Sequence, residues 1–313
     1  MAIEKLDVPD KAIVEALDYA QKSINFTYDR MGFKGDLLRR VKNIVKGIIS
    51  EGAFQKWLID NKINYEYRPT HFTETDKSDI LIKNNKIDMK NFYVDKSFKK
   101  YSLEDLYKCS ALVPVDQLNS NHRMKMTDIY TFFAVFGTES YRPYYKQKPL
   151  YTNIISRDSL FNNYYLNRKE LGSIEFYLKD GQSQFQFNVC GQNSNAETEI
   201  EEIVITTFPK KVKTKFYSLL YLNSLNRPTS DVLYRINDTV CGIANVGSWG
   251  DIMIYEPEVY FLGWLPKSEF KKKATILPSG GSCFQYGRTF TDNYEVTPLS
   301  KLNSPKSFIE FAR

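Results

Sequence analysis

Residues 128–137, Asp128-Ile129-Tyr130-Thr131-Phe132-Phe133-Ala134-Val135-Phe136-Gly137, form a near-continuous apolar run. A strand that is apolar on both faces needs a layer of structure against each, so this run is read as the centre of a sheet covered on both sides. That requirement points to an α/β fold with helices flanking a central mixed sheet. At 313 residues the chain exceeds what one small core needs, and either one large domain with an insertion or two domains is expected.

The segments around the run supply candidate layers. Pro9-Asp10 followed by Lys11–Lys22 reads as a capped helix with Ile13, Val14 and Leu17 on one stripe. After a link at 25–35, a second helical pattern opens at Asp36 and carries Leu37, Leu38, Val41, Ile44, Val45, Ile48 and Ile49; Gly47–Leu58 continues it, with a kink at the glycines left open. Residues 1–35 are thus an N-terminal helical segment and 36–139 the first part of the core. Ile63–Tyr67 alternates at period two and reads as a strand ended by Arg68-Pro69. Ser102–Tyr107 looks like a short helix, and Ala111–Val115, which contains a proline, like an edge strand or loop. From about Ser140 the composition turns polar and aromatic, and 140–252 is read as a β-rich insertion. It holds a hairpin, Ser173–Leu178 and Gln184–Cys190 about a Lys179-Asp180-Gly181 turn, and strands at 203–208 and 232–236. The closing part of the core, 253–313, offers a strand at Glu258–Leu265, a short basic helix at Pro266–Ala274, and a strand from Tyr294 followed by a turn and a tail.

The chemistry concentrates in a second hairpin. Asp79-Ile80-Leu81-Ile82 is an apolar strand opening with an acid, Lys83-Asn84-Asn85-Lys86 a polar turn, and Ile87-Asp88-Met89-Lys90 the start of the return strand. Side chains alternate along a strand, so Asp88 and Lys90 point the same way and Met89 the other. Pairing of the two strands can bring Asp79 to Asp88, giving a cation site with a lysine beside it. Glu51 lies one turn before Phe54, Trp57 and Leu58, where a helix packed on the sheet by those residues can project it over the sheet edge; a solvated surface acid is the other reading.

Rival chemistries lack residues. There are two histidines, His71 and His122, both read as loop or surface groups, and neither an HExxH string nor a GxSxG elbow occurs. The four cysteines, Cys109, Cys190, Cys241 and Cys283, form no CxxC pair and are expected to be reduced thiols. No apolar run reaches the roughly 20 residues of a membrane span and the N-terminus lacks signal-peptide features, so an intracellular, cytoplasmic protein without a membrane partner is expected. The net charge of +6 permits a polyanionic partner. The basic run Lys210-Lys211-Val212-Lys213-Thr214-Lys215 is either a solvated face or a phosphate-contacting surface.

In order, the helix with Glu51, a strand, the Asp79 strand, the Asp88-Met89-Lys90 strand, a helix and a buried strand resemble the core of the PD-(D/E)xK nuclease superfamily. Asp79 matches its first acid, Asp88 its second, Lys90 its lysine, and Glu51 the acid often found on the preceding helix; Ser78 stands where the motif's proline would be. Phe261–Phe270 looks like the late strand and helix of phage and bacterial nucleases of this type. The resemblance spans about 36–137 and 254–302 and leaves the insertion unmatched. It implies a restriction-endonuclease-like core and a metal-dependent DNA endonuclease of restriction, phage or mobile-element type, in a prokaryotic or viral setting. Asp79 and Asp88 would bind Mg²⁺, with Mn²⁺ able to substitute; Glu51 would bind the metal or its water, the Met89 carbonyl would supply a further oxygen, and Lys90 would orient the nucleophile. The residue types suit the chemistry, because a hard cation on carboxylate oxygens stabilises charge on the attacked phosphate and activates water. Lys210, Lys211, Lys213 and Lys215, with Lys271 and Lys272, are candidates for contacting double-stranded DNA. Cutting both strands with one centre per chain calls for a homodimer. The alternative is a non-catalytic nucleic-acid-binding module that keeps the nuclease fold.

Overall fold

A computed structural model of the chain describes residues 3–30, 37–68, 80–94, 103–119, 124–136, 151–156, 170–179, 184–195, 198–206, 210–213, 216–224, 228–236, 239–254, 257–285, 290 and 292–313. It divides into two compact units, one of residues 1–26, 43–146 and 255–313, the other of 27–42 and 147–254. The chain opens with β1 (Glu4–Leu6), α1 (Asp10–Arg30), α2 (Leu37–Asp60), β2 (Glu66–Tyr67), β3 (Ile80–Ile82), β4 (Asn85–Val94), α3 (Leu103–Leu106), β5 (Ser110–Pro114), α4 (Val115–Asn119) and β6 (Ile129–Phe136). The second unit holds β7 (Tyr151–Ser156), β8 (Ser173–Leu178), β9 (Phe185–Gln192), β10 (Thr198–Ile205), β11 (Lys210–Lys213), β12 (Ser218–Ser224), β13 (Val232–Ile236), β14 (Thr239–Ala244) and β15 (Trp249–Ile254). The chain closes with β16 (Glu258–Pro266), α5 (Lys267–Lys273), β17 (Thr275–Leu277), β18 (Tyr294–Pro298) and α6 (Pro305–Ala312).

The first unit is built on a mixed sheet in the order β1-β16-β6-β4-β3-β2. Every pairing is antiparallel except β4 with β6. All eight residues of β6 are buried, as its composition requires, because both faces are covered. On one face Phe133 and Phe261 meet Phe54 of α2 and Phe308 of α6 through ring contacts of 5.2–5.8 Å. On the other, Tyr130 and Phe132 pack on Phe270 of α5, within a core that also takes Leu118 of α4 and Val113 of β5. The mixed α/β class follows from this layering. A separate three-stranded sheet, β17-β18-β5, has β5 at its edge.

One glycine lets β16 serve both layers. The β16–β6 register slips between Phe261 and Gly263, so Phe261 and Trp264, three apart, both reach Phe308 while Leu262 and Leu265 enter the opposite core. Gly263 has φ +146°, and a Cβ there would stand 2.5 Å from the Asn303 carbonyl oxygen.

Several elements differ from the sequence reading. Helix α1 runs on to Arg30, and α2 is continuous through Gly47 and Gly52; Gly52 marks a close helix crossing, where a Cβ would overlap that of Ala12. The strand expected at 63–67 shortens to Glu66–Tyr67. The β3–β4 turn is two residues, Lys83 and Asn84, both with positive φ, the geometry that matches the strands' twist. Edge strand β1 and helix α6 were not expected. For α6 the signal was present: Ser304 caps the helix, its hydroxyl accepting from the Ser307 amide, and Pro305 follows at the first turn.

The second unit is a two-sheet sandwich, and it overturns the hairpin at 173–190. Strand β8 belongs to a sheet ordered β11-β8-β13-β14, and β9 to one ordered β10-β9-β12-β7-β15. The two strands face each other across the core, with Phe176 and Phe187 rings 5.4 Å apart. Period-two burial fits either arrangement, since Ile174, Phe176 and Leu178 and then Phe185, Phe187 and Val189 each line one inner face. Among the described residues no helix is long and apolar enough to cross a membrane.

Gly263→Ala is expected to destabilise the protein by about 2 kcal/mol or more, through strain and the clash with Asn303. Gly47→Ala, at a helix position with nothing within 4 Å, should be neutral or gain up to about 1 kcal/mol. Urea denaturation of the two variants checks both.

Candidate functional site

Asp88 and Lys90 sit on β4 beside β6, with Asp88 in register with Tyr130 and Lys90 with Phe132. Because Tyr130 and Phe132 face α5, so do Asp88 and Lys90. The lysine amine lies 2.8 Å from Asp88 Oδ1 and donates to Gln117 Oε1 at 2.7 Å. It also stands 5.7 Å from the Tyr130 ring centroid. With side-chain exposures of 18% for Lys90 and 26% for Asp88, the pair is partly sheltered, and its charges interact more strongly than in open water.

A buried polar frame holds this corner. Asp128, 1% exposed, accepts the Lys86 amide at 2.9 Å and the Lys125 amide at 2.5 Å. It thereby ties the β3–β4 hairpin to the loop entering β6. Its carbonyl accepts the Lys267 amide at 2.8 Å, anchoring the start of α5, and the buried Lys267 amine donates to the Met124 carbonyl at 3.1 Å. Burial holds the Lys267 amine below the ordinary lysine range, helped by the Lys271 charge and opposed by Asp128 and Asp88. Tyr130 is fully buried with its hydroxyl making no hydrogen bond among the described residues. Burial first, then the negative charges of Asp88, Glu295 and Asp128, push its ionisation well above the usual phenol range. Burial likewise raises Glu295, against the pull of Lys271. Gln117, Tyr130, Asp128 and Lys267 were not singled out from the sequence; a lone aspartate opening an apolar strand and a lysine following a proline were the available signals.

The structure brings some candidate residues together and not others. Glu51 lies on α2, whose rings pack on the Phe133 face, opposite the face that carries Asp88 and Lys90. Met89 pairs with Thr131 and directs its side chain to the Glu51 face, leaving its main chain beside Asp88. Asp79 lies outside the described residues, as do Lys215, His71 and His122; Ile80, next to Asp79, is paired with Ile87, next to Asp88. Among the described residues no three His, Cys, Asp or Glu side chains converge as a cation-binding group. Lys210, Lys211 and Lys213 occupy the edge strand β11. Lys271 and Lys272 are exposed on α5.

No family model and no curated protein matches the chain. A solved structure titled "CC2D1B coordinates ESRCT-III activity during the mitotic reformation of the nuclear envelope" aligns over 96% of this chain and 90% of that one, at 9% identity and a TM-score of 0.12. At that score the alignment says nothing about the fold.

Removing Gln117's acceptor by Gln117→Leu is expected to cost about 1–2 kcal/mol in urea denaturation, the range for a partly sheltered hydrogen bond to a charged group. Lys267 supplies a pH test. Its folded-state pKa lies below the unfolded 10.5, so the unfolded chain binds its proton more tightly, and stability contributed at this position rises with pH from the lowered value up to 10.5. Lys267→Met should flatten that part of the stability–pH curve; an unchanged slope would contradict the placement of the amine.

Proposed function

We propose that the chain is a Mg²⁺-dependent endonuclease that hydrolyses DNA phosphodiester bonds, with Asp88 and Asp79 holding the cation and Lys90 facing the attacked phosphate. The observation that carries the reading is the Asp88–Lys90 pair, 2.8 Å apart on one face of β4. It lies within the order α2, β2, β3, β4, β6, in which an antiparallel meander is followed by a strand parallel to β4. That order supports a restriction-endonuclease-like core. Bound cation would polarise a phosphoryl oxygen and lower the pKa of its water. The chain's own contribution is positional: Gln117 and Asp88 fix the Lys90 amine from two sides, so a phosphate reaching Lys90 meets an ammonium already oriented. Glu51 is left out of this set because its helix covers the other face. Lys210, Lys211, Lys213, Lys271 and Lys272 remain proposed DNA contacts, and a homodimer the proposed form for cutting both strands.

A second reading, a nucleic-acid-binding module without catalysis, is favoured by the separation of Glu51 from Asp88. It expects DNA retention without metal dependence, and titration calorimetry showing no Mg²⁺ or Mn²⁺ binding supports it.

The direct test is nicking or linearisation of supercoiled plasmid with Mg²⁺ by the wild-type chain, Asp88→Asn and Lys90→Met. Both near-isosteric variants are expected to lose about 10²-fold or more in rate. Equal rates in all three proteins would remove the site assignment.

A further inference from the structure

In the second unit, the outer face of the β11-β8-β13-β14 sheet carries side chains that the core does not use. Ile174, Phe176, Val232 and Tyr234 line the inner face, so alternation turns Glu175, Tyr177, Leu233 and Arg235 outward. The register sets them in rows across the strands. Lys211 of β11 is paired with Glu175 and Glu175 with Arg235, while Lys213 is paired with Ser173. In the adjacent row Tyr177 is paired with Leu233, and Leu233 with Ile243. A basic row and an apolar row thus lie side by side. Arg235 joins the two: its guanidinium carbon lies 5.2 Å from the Tyr177 ring centroid, and its Nη1 3.9 Å from Glu175 Oε2. A long ion pair between partly exposed groups holds the arginine only loosely, and its side chain keeps 42% of its surface open to solvent. Ile243 is equally open, at 42%.

We infer that this face binds single-stranded nucleic acid, with Arg235 at the phosphate backbone alongside the β11 lysines and Tyr177 as a platform for a base. The inference rests on the nucleic-acid reading of those lysines and does not depend on cleavage at Asp88 and Lys90. The combination of rows selects the partner. Cations alone would serve a duplex, whose bases stay paired and which offers a sheet surface chiefly its phosphates. A tyrosine and an exposed isoleucine beside the cations suit a strand whose bases are unstacked and can lie on apolar and aromatic side chains. The cation–π contact with Tyr177 positions the guanidinium at the boundary between the two rows, where backbone and base of one nucleotide would diverge. Glu175 is the one repulsive group, in register between Lys211 and Arg235. It moderates the affinity of the face, and its removal strengthens binding.

The test titrates the full chain into a fluorescein-labelled oligothymidylate of about 16 nucleotides and follows anisotropy at several salt concentrations. EDTA is present, so that metal-dependent cleavage does not enter. The wild-type chain is expected to bind this strand more tightly than a duplex of the same length or phosphatidylserine vesicles. Arg235→Gln should weaken binding about tenfold and lower the salt slope by about 0.7, the loss of one phosphate contact on a single strand. Tyr177→Leu should weaken it about fivefold or more with the slope unchanged, because stacking releases no counterions. Glu175→Gln should tighten binding, a gain that a misfolded variant does not produce. No binding by the wild-type chain, a preference for duplex or vesicles, Arg235→Gln and Tyr177→Leu both matching wild type, or Glu175→Gln failing to tighten binding would each overturn the inference. Plasmid left intact while these shifts are present counts against the nuclease reading alone, and plasmid cut without them counts against this inference alone.

Discussion

Burial of β6 on both faces is the constraint on which the first unit depends. Eight consecutive residues with no solvent-facing side oblige the sheet to carry two unlike layers: α2 and α6 with their aromatic contacts on one face, and α4, α5 and β5 on the other. Each layer must reach β6 through its neighbours, and β16 manages this by slipping register at Gly263, so that a single strand supplies Phe261 and Trp264 to one core and Leu262 and Leu265 to the other. Aromatic side chains dominate these contacts because each buries a large area for few rotatable bonds.

The candidate site is a by-product of that layering. Covering the Tyr130–Phe132 face with α4 and α5 brings Gln117 over Lys90 and the buried Lys267 near Asp88. Asp128 makes the corner rigid, since one buried carboxylate satisfies two amides while its main chain anchors α5. A carboxylate in such a position is tolerated only because its oxygens are hydrogen-bonded. The same layering places Glu51 on the far face, and the active-site proposal rests on fewer acids than the sequence pattern suggested.

What could be read from the residues alone divides along physical lines. The buried strand, the long helices and the Asp88–Lys90 alignment were legible because periodicity is local: two residues apart on a strand share a face whatever lies around it. The hairpin at 173–190 was misread because alternation fixes which face of a strand is buried and not which strand lies beside it; β8 and β9 line opposing inner faces with the same pattern. β1 escaped notice because Glu4-Lys5-Leu6 is polar at two of three positions, and only the edge of β16 makes it a strand.

Sequence by itself determined that this chain builds a covered mixed sheet, that Asp88 and Lys90 share one face of a strand, and that it carries two histidines and neither a CxxC nor an HExxH string. Tertiary structure alone decided which groups meet them. Gln117, Lys267 and Asp128 arrive from segments 27 to 179 residues away from Lys90 or Asp88 along the chain, and the helix that carries Glu51 packs on the opposite face of the sheet. Local propensities set the direction of each side chain, whereas long-range encounters depend on how two layers close over a shared strand, and no window of sequence contains both partners.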